Sequence, residues 1–163
     1  ALTAVRSLFR YDGDVRPLVH KLKFAGFSAL TEVMAPPMAD LVDWTFDAVV
    51  PVPLAASRER DRGYNQSRLL AKGVAKSLDT PILEPLRRKG GVAPQAMTAG
   101  AEERRRNVAG AFALKPGPPP LAGKGLLLVD DVATTCATLD ACARVLLGAG
   151  AAEVTAVTFA RED

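Results

Sequence analysis

The strongest constraint on the fold is a run of four aliphatic residues that ends in two adjacent acids. Residues 126–129 read Leu-Leu-Leu-Val and are followed by Asp130 and Asp131. Consecutive aliphatic residues bounded by glycine and by charge are typical of a parallel strand that is covered on both faces. The sequence therefore predicts a buried strand over 126–129 that brings two carboxylates to one edge of a sheet.

A helix is predicted directly after this strand, with Gly148 and Gly150 as its stop signals. In open α/β sheets, ligands bind where the carboxyl end of a strand meets the start of a helix. The unpaired N–H groups and the dipole of a helix start favour phosphate there. The junction at 130–138 is thus predicted to bind an anion. The residues that share the apolar face of this helix are Leu139, Cys142, Ala143, Leu146 and Leu147.

The rest of the chain alternates predicted helices and strands, which indicates a parallel sheet with helices on both faces. We expect one domain over 1–163, with a helical N-terminal part or hood over 1–46 and a flexible lid over 87–110. The other predicted helices cover 14–24, 28–43 with an interruption at Pro36-Pro37, and a segment that Asn65 caps. The other predicted strands cover 48–53, 82–86, 112–115 and 154–159, and 54–66 is predicted to be an arginine-rich loop.

Composition bounds the function only loosely. A net charge of +3 and a pI of about 9.1 suit an anionic small molecule or a nucleic acid and do not choose between them. The two cysteines, Cys136 and Cys142, suit neither a disulfide framework nor a zinc site, so a cytoplasmic location is predicted. The sequence contains no apolar run near the ~20 residues of a membrane span.

The junction at 130–138 combines acids with hydroxyls. Thr134, Thr135 and Thr138 offer three hydroxyl groups beside a helix start, which suits a phosphate monoester. Asp130 and Asp131 could face sugar hydroxyls or a hydrated Mg²⁺. A simpler alternative stays open, in which Thr138 caps the helix and the aspartates merely end the strand.

Three other uses of an aliphatic strand that ends in Asp-Asp are disfavoured. A Walker-B strand needs a partner G-x-x-x-x-G-K-[ST] loop, and the sequence has none. A phospho-acceptor receiver domain carries its acids near the start of its fold, but only 32 residues follow Asp131. A metal-dependent hydrolase would need further ligands, and His20 is the single histidine. A sugar-phosphate site remains.

Residues 127–138 resemble the phosphoribosyl-pyrophosphate (PRPP) motif of type I phosphoribosyltransferases. The chain as a whole resembles, more narrowly, the ComF family of competence-associated phosphoribosyltransferase-like proteins. The blocks that support the narrower resemblance are 22–26, 50–53, the Arg-Gly-Tyr-Asn-Gln block at 62–66, and Gln95 followed by 104–112. Most members of that family begin with a zinc ribbon, which this sequence lacks, so no zinc site is predicted.

The resemblance implies a fold and two alternative functions. The fold is α/β, the type I phosphoribosyltransferase fold, with a central parallel five-stranded sheet flanked by helices and a flexible hood loop. The first function is a phosphoribosyltransferase that binds PRPP with Mg²⁺ and transfers ribose 5-phosphate to an unidentified base or amine, with release of pyrophosphate. The second is a non-catalytic factor in DNA uptake that binds a helicase partner and single-stranded DNA.

The resemblance also implies roles for particular residues. Asp130 and Asp131 would be catalytic and address the ribose, with Mg²⁺ held through PRPP near them rather than by direct protein ligation. The residues implied for the 5′-phosphate are Thr134, Thr135, Cys136, Ala137 and Thr138. Those implied for pyrophosphate are Leu54, Ala55, Ala56, Ser57 and Arg62. Those implied for the lid are Gln95, Arg104, Arg105, Arg106 and Asn107.

One residue departs from the motif of that family. Cys136 stands where the pattern has glycine. Glycine permits a positive φ and lets the backbone approach phosphate closely, whereas cysteine adds a Cβ and a sulfur. We therefore expect either a shifted loop with weaker phosphate binding, or a small residue that simply fits.

Overall fold

The computed structural model of this chain describes residues 1–24, 29–90, 108 and 110–162, in which helices and strands alternate. The strands are β1 (Ala4–Arg10), β2 (Ala48–Pro51), β3 (Leu86–Arg88), β4 (Phe112–Leu114), β5 (Gly125–Ala133) and β6 (Glu153–Arg161). The helices are α1 (Val15–Phe24), α2 (Leu30–Ala39), α3 (Ala56–Arg62), α4 (Gln66–Leu78) and α5 (Ala137–Gly148).

The main sheet has the strand order β1-β6-β5-β2, and every neighbouring pair in it is parallel. Beyond β2, Ile82 forms an isolated parallel bridge with Val49. The strand predicted over 82–86 therefore contributes only this one bridge to the main sheet. The chain then leaves the main sheet, because β3 pairs antiparallel with β4 in a separate two-stranded sheet.

Both faces of the main sheet are covered, as the aliphatic composition of β5 predicts. Leu126 and Leu128 face a cluster that includes Leu139 and Leu146 of α5. Leu127 and Val129, one position along in each case, face a second cluster built from α1, α2 and α4. Successive side chains of a strand point to opposite faces, so an uninterrupted run of aliphatic residues supplies both cores.

The N-terminal residues differ from the predicted helical hood. Residues 4–10 form β1, which pairs in parallel with β6 from Ala4 opposite Thr155 to Arg10 opposite Arg161. All residues of β1 are half-buried or exposed, since it is an edge strand. Its sequence, Ala-Val-Arg-Ser-Leu-Phe-Arg, has no clear alternation of apolar and polar residues, and pairing with β6 supplies its hydrogen bonds.

Two predicted boundaries between helix and loop are also wrong. α2 continues through Pro36 and Pro37 and ends at Ala39, because its buried residues pack against α4. α3 forms inside the predicted loop at 54–66. None of its residues is buried, so it lacks the apolar stripe by which a helix is predicted from sequence.

Candidate functional site

The two adjacent acids lie inside β5 rather than after it, because this strand continues to Ala133. Both acids are nearly inaccessible: Asp130 is 8% exposed and Asp131 is 3% exposed. Each carboxylate accepts a hydrogen bond from the next backbone N–H, from Asp131 to Asp130 Oδ1 at 2.9 Å and from Val132 to Asp131 Oδ1 at 2.8 Å. The local backbone thus fixes the two side chains.

A serine on a neighbouring helix holds the first of these acids. Ser67, in the first turn of α4, donates its hydroxyl to Asp130 Oδ1 at 2.5 Å and is 2% exposed. The backbone N–H of Ser67 is capped by Asn65 Oδ1 at 3.0 Å, as the sequence predicted for Asn65. Asn65 also donates from Nδ2 to the carbonyl of Val52, just beyond β2, at 3.1 Å. One turn of chain therefore links the end of β2, the start of α4 and Asp130.

The same block reaches α1. The hydroxyl of Tyr64 donates to the backbone carbonyl of Leu22 in α1, and Arg62 donates from Nη1 to Oε1 of Gln66. Gly63 ends α3 with a φ of 86°, a left-handed conformation that glycine adopts without a Cβ penalty. The Arg-Gly-Tyr-Asn-Gln block is therefore a junction between α1, α3 and α4.

A lysine of α1 faces the second acid. The ammonium Nζ of Lys23 lies 3.2 Å from Asp131 Oδ2, and the Lys23 side chain is 27% exposed. The two carboxylates consequently have different partners, since Asp130 accepts from a neutral hydroxyl and Asp131 faces a cation.

Burial changes the acidity of the first acid. Desolvation and the neighbouring charge of Asp131 raise the pKa of Asp130 to about 7, although the hydrogen bond from Ser67 lowers it. Near neutral pH, this carboxyl therefore exchanges between its protonated and ionised forms.

The loop after β5 keeps a conformation that suits glycine. Cys136 has φ 56° and ψ 4°, which is left-handed, and it is the N-cap residue of α5. A side chain in this conformation costs roughly 1 kcal/mol. The interpretation of Thr138 as the cap is wrong, because α5 begins at Ala137 and Thr138 is already its second residue. Thr134 and Thr135 are exposed at the mouth of the junction.

The residues implied for pyrophosphate begin beside the acids. The backbone N–H of Val52 donates to the carbonyl of Val129 at 3.0 Å, so the chain leaves β2 next to the end of β5. Leu54 and Ala55 lie outside any helix or strand, whereas Ala56 and Ser57 already belong to the first turn of α3. A pure loop over 54–57 is thus not observed. Arg62 lies at the other end of α3.

The residues implied for the lid lie outside the described part of the chain. They are Gln95, Arg104, Arg105, Arg106 and Asn107. The strands on either side of this segment, β3 before it and β4 after it, are described and lie side by side. β3 and β4 are antiparallel neighbours, and the N–H of Lys89 donates to the carbonyl of Ala111 at 2.8 Å.

Sequence reasoning missed two residues of this site, Ser67 and Lys23. Lys23 belongs to a block that supported the family resemblance, but no role followed from it. Ser67 is the second residue of α4, after the predicted cap Asn65, and nothing in the local sequence marked its side chain as a partner of Asp130. Neither contact has a signal in local sequence, because each joins β5 to a distant helix.

Two further findings limit the chemistry of the described residues. They contain no group of three or more histidine, cysteine, aspartate or glutamate side chains that could hold a metal ion. Burial raises the pKa of the Cys142 thiol, so this cysteine is a packing residue of α5 rather than a nucleophile. As for membranes, the helices described here are all too short or too polar to cross one.

Comparison with known proteins identifies the fold and the family. The family profile described as "Phosphoribosyl transferase domain" matches residues 64–163, which contain the acids, the loop after β5 and α4. Among solved structures, the glutamine PRPP amidotransferase of Bacillus subtilis superimposes with a TM-score of 0.55 at 21% identity. The match covers 79% of this chain and 26% of that protein, and it shows the phosphoribosyltransferase fold.

Curated relatives give a narrower match. Competence protein F of Haemophilus influenzae is 33% identical over 115 residues, covering 71% of this chain and 50% of the relative. DNA utilization protein YhgH of Escherichia coli K12 is 34% identical over 153 residues, covering 88% and 66%. Competence protein ComFC of Bacillus subtilis is 29% identical over 161 residues, covering 96% and 63%. The chain thus spans between half and two thirds of the length of these relatives. By its profile match and these relatives, the chain belongs to the phosphoribosyl transferase domain family and, within it, to the ComF family.

Proposed function

We propose that this chain is a phosphoribosyltransferase that binds PRPP with Mg²⁺ and transfers ribose 5-phosphate to a base or amine, with release of pyrophosphate. The observation that carries the proposal is the buried Asp130–Asp131 pair, which lies directly before a loop that enters α5 in a left-handed conformation. Sugar hydroxyls and a phosphate monoester are the groups that such a pair and such a loop would bind.

The 5′-phosphate is assigned to the loop from Thr134 to Thr138. The hydroxyls of Thr134 and Thr135 are exposed there, and the left-handed Cys136 turns the chain into α5. The backbone N–H groups of the first turn of a helix have no partner within the helix, so they are available to an anion. The phosphate would therefore be held mainly by backbone donors, with threonine hydroxyls beside them.

The ribose is assigned to Asp130 and Asp131. Displacement at the anomeric carbon builds positive charge on the sugar, and carboxylates held in place before reaction stabilise that charge. Ser67 and the backbone N–H groups keep these carboxylates in fixed positions, so little reorganisation is needed during reaction. The pyrophosphate is assigned to Leu54, Ala55, Ala56, Ser57 and Arg62, and the lid to Gln95, Arg104, Arg105, Arg106 and Asn107.

The acids fit a magnesium ion that arrives with the ligand. Asp131 Oδ2 is a buried carboxylate oxygen that accepts no hydrogen bond within the described residues, and the cation that faces it in the structure is the ammonium of Lys23 at 3.2 Å. Two carboxylates alone make a weak site, and Mg²⁺ commonly keeps waters and substrate phosphates as its other ligands. When bound, the ion would neutralise charge on the leaving pyrophosphate. The acids would orient the ribose whether or not they touch the ion.

Calorimetric titration with PRPP in the presence of Mg²⁺ tests the proposal, and Asp130→Asn with Asp131→Asn is the matched variant. We expect the native chain to bind PRPP and the double variant to bind at least tenfold more weakly, because the ribose loses both carboxylates. Release of pyrophosphate on addition of candidate bases would establish turnover. Absence of binding to the native chain at millimolar PRPP would refute the proposal.

A second candidate follows from the names of the relatives. Competence protein F and DNA utilization protein YhgH point to DNA handling. We infer as the alternative that the chain is a non-catalytic phosphoribosyltransferase-like factor in DNA uptake, which acts in the cytoplasm with a helicase partner and binds single-stranded DNA. The strained Cys136 favours this alternative, since it places a Cβ in the phosphate loop.

Salt titration of DNA binding separates the two candidates. For the alternative, affinity for a fluorescent single-stranded oligonucleotide should fall steeply with salt, because bound phosphates release counterions. Replacing Arg104, Arg105 and Arg106 by alanine should weaken binding and flatten the salt slope. No binding, or a slope that the triple variant leaves unchanged, would count against the alternative.

A further inference from the structure

The cation beside the second acid belongs to the protein itself. Asp131 is 3% exposed, and the ammonium of Lys23 lies 3.2 Å from its Oδ2 atom. The other carboxylate oxygen, Oδ1, accepts the backbone N–H of Val132 at 2.8 Å. The oxygen that Lys23 faces is therefore the one that the backbone leaves available, and a ligand or its metal ion would have to approach this oxygen past the ammonium.

The turn that carries Lys23 is anchored at the neighbouring residue. The carbonyl of Leu22 accepts the hydroxyl of Tyr64, and the Leu22 side chain is fully buried in the core between α1 and the sheet. Lys23 thus extends from a fixed turn toward Asp131. Lys21, two residues earlier on the same helix, is exposed. Packing therefore fixes the backbone that carries Lys23, and from there the ammonium reaches the buried carboxylate of Asp131.

We propose that Lys23 is a positioning residue that competes with the ligand's divalent cation for Asp131. In the absence of ligand, its ammonium balances the buried carboxylate. When the phosphosugar and its cation enter, the ammonium leaves Asp131 and faces the anionic ligand instead. This inference deepens the proposed function, on which it rests, and it gives the side chain of Lys23 a role in admitting the ligand's cation at Asp131.

Charge balance supports the exchange. A buried carboxylate without a cation is costly, so the folded chain needs a positive group beside Asp131 before ligand binds. A divalent cation supplies that charge on binding, and two positive groups next to one carboxylate oxygen repel each other. Lys23 and the ligand's cation should therefore exclude one another at this oxygen.

Titration with Mn²⁺, which prefers the same oxygen ligands as Mg²⁺, tests the inference without any sugar phosphate. Free Mn²⁺ is measured by electron paramagnetic resonance for the native chain and for Lys23→Met, which removes the charge but keeps most of the aliphatic stem. Lys23→Gln is a second neutral variant, and circular dichroism checks that both variants fold. Lys23→Arg keeps the charge, and Lys21→Met is the matched control on the exposed side of α1.

We expect Lys23→Met and Lys23→Gln to bind Mn²⁺ about tenfold more tightly than the native chain, because the competing ammonium is gone. Lys23→Arg and Lys21→Met should bind as the native chain does. Equal or weaker Mn²⁺ binding by the neutral variants, including no binding by any protein, would overturn the inference. The same titrations repeated with PRPP separate the two proposals. If PRPP changes nothing in any variant, the proposed function fails, while the Mn²⁺ affinities still decide the role of Lys23.

Discussion

The hydroxyl of Ser67 lies 2.5 Å from Oδ1 of Asp130 and so joins the first turn of α4 to the acidic end of β5. Asn65 fixes the backbone of this turn and donates to Val52 beside β2. The position of Asp130 therefore depends on a helix that begins about 60 residues earlier in the chain. This relationship makes the Arg62–Ser67 segment part of the candidate site, although only Arg62 was predicted to bind ligand.

Replacing Ser67 by alanine should raise the pKa of Asp130 above its value of about 7, because the hydroxyl stabilises the ionised carboxylate. Titration of the side-chain carboxyl by carbon NMR measures the shift. At pH 8, where Asp130 is mostly ionised, the variant should also lose about 1–2 kcal/mol of unfolding free energy. Ser77→Ala, at an exposed position of the same helix, is the control. An unchanged midpoint for Asp130 would contradict the assigned hydrogen bond.

The raised pKa of Asp130 predicts how stability depends on pH. Between its ordinary pKa of 3.8 and about 7, the folded chain holds a proton that the unfolded chain has released. Protonation thus favours the folded state at low pH, and the unfolding free energy falls as pH rises through this interval. The native chain should lose about 2–3 kcal/mol more than Asp130→Asn between pH 5 and pH 8.

Urea unfolding at a series of pH values measures this difference, and Asp14→Asn, at an exposed position of the chain, is the control. The control should keep the pH dependence of the native protein. Parallel curves for the native chain and Asp130→Asn would show that Asp130 is not the group that takes up the proton.

Replacing Cys136 by glycine should strengthen binding of ribose 5-phosphate several-fold. Cys136 has φ 56°, so glycine removes a Cβ from a left-handed residue and lets the backbone approach phosphate more closely. Stability should change by less than about 1 kcal/mol, since relief of strain is offset by the greater freedom of glycine in the unfolded chain. Calorimetric titration gives the affinity. Cys136→Ala keeps the Cβ and loses only the sulfur, so it should bind like the native chain; a gain as large as that of glycine would assign the effect to the sulfur instead.

Replacing Gly73 by alanine should destabilise the fold, although alanine normally favours a helix by about 1 kcal/mol over glycine. A Cβ at Gly73 would lie 2.4 Å from the Cβ of Ala35, so α2 and α4 would have to move apart. We expect a loss of about 1–3 kcal/mol in thermal or urea unfolding. Gly148→Ala in α5 is the matched control, since a Cβ there meets no atom within 4 Å. Equal effects of the two substitutions would contradict the close packing of α2 on α4.

Much of the sheet and part of the site could be predicted from the sequence, because their signals are local. The aliphatic residues of β5, the apolar face of α5 and the cap at Asn65 each depend on neighbours within a few positions. β1 and α3 were not predicted, because neither carries a local signal of this kind. β1 is an edge strand without an alternating pattern, and α3 has no buried face.

The sequence by itself determined that a buried strand and two adjacent acids precede a helix, since four consecutive aliphatic residues are typical of a strand covered on both faces. The predicted end of the strand was wrong, because β5 continues through both acids to Ala133. It also singled out Cys136 as the departure from the glycine of the motif. Only the tertiary structure decided what surrounds these residues. It placed Ser67 on Asp130 and Lys23 on Asp131, and it showed that Cys136 adopts a left-handed conformation, which glycine adopts most easily. Such contacts join residues 63 or more positions apart, and packing around the sheet, rather than any local pattern, brings them together.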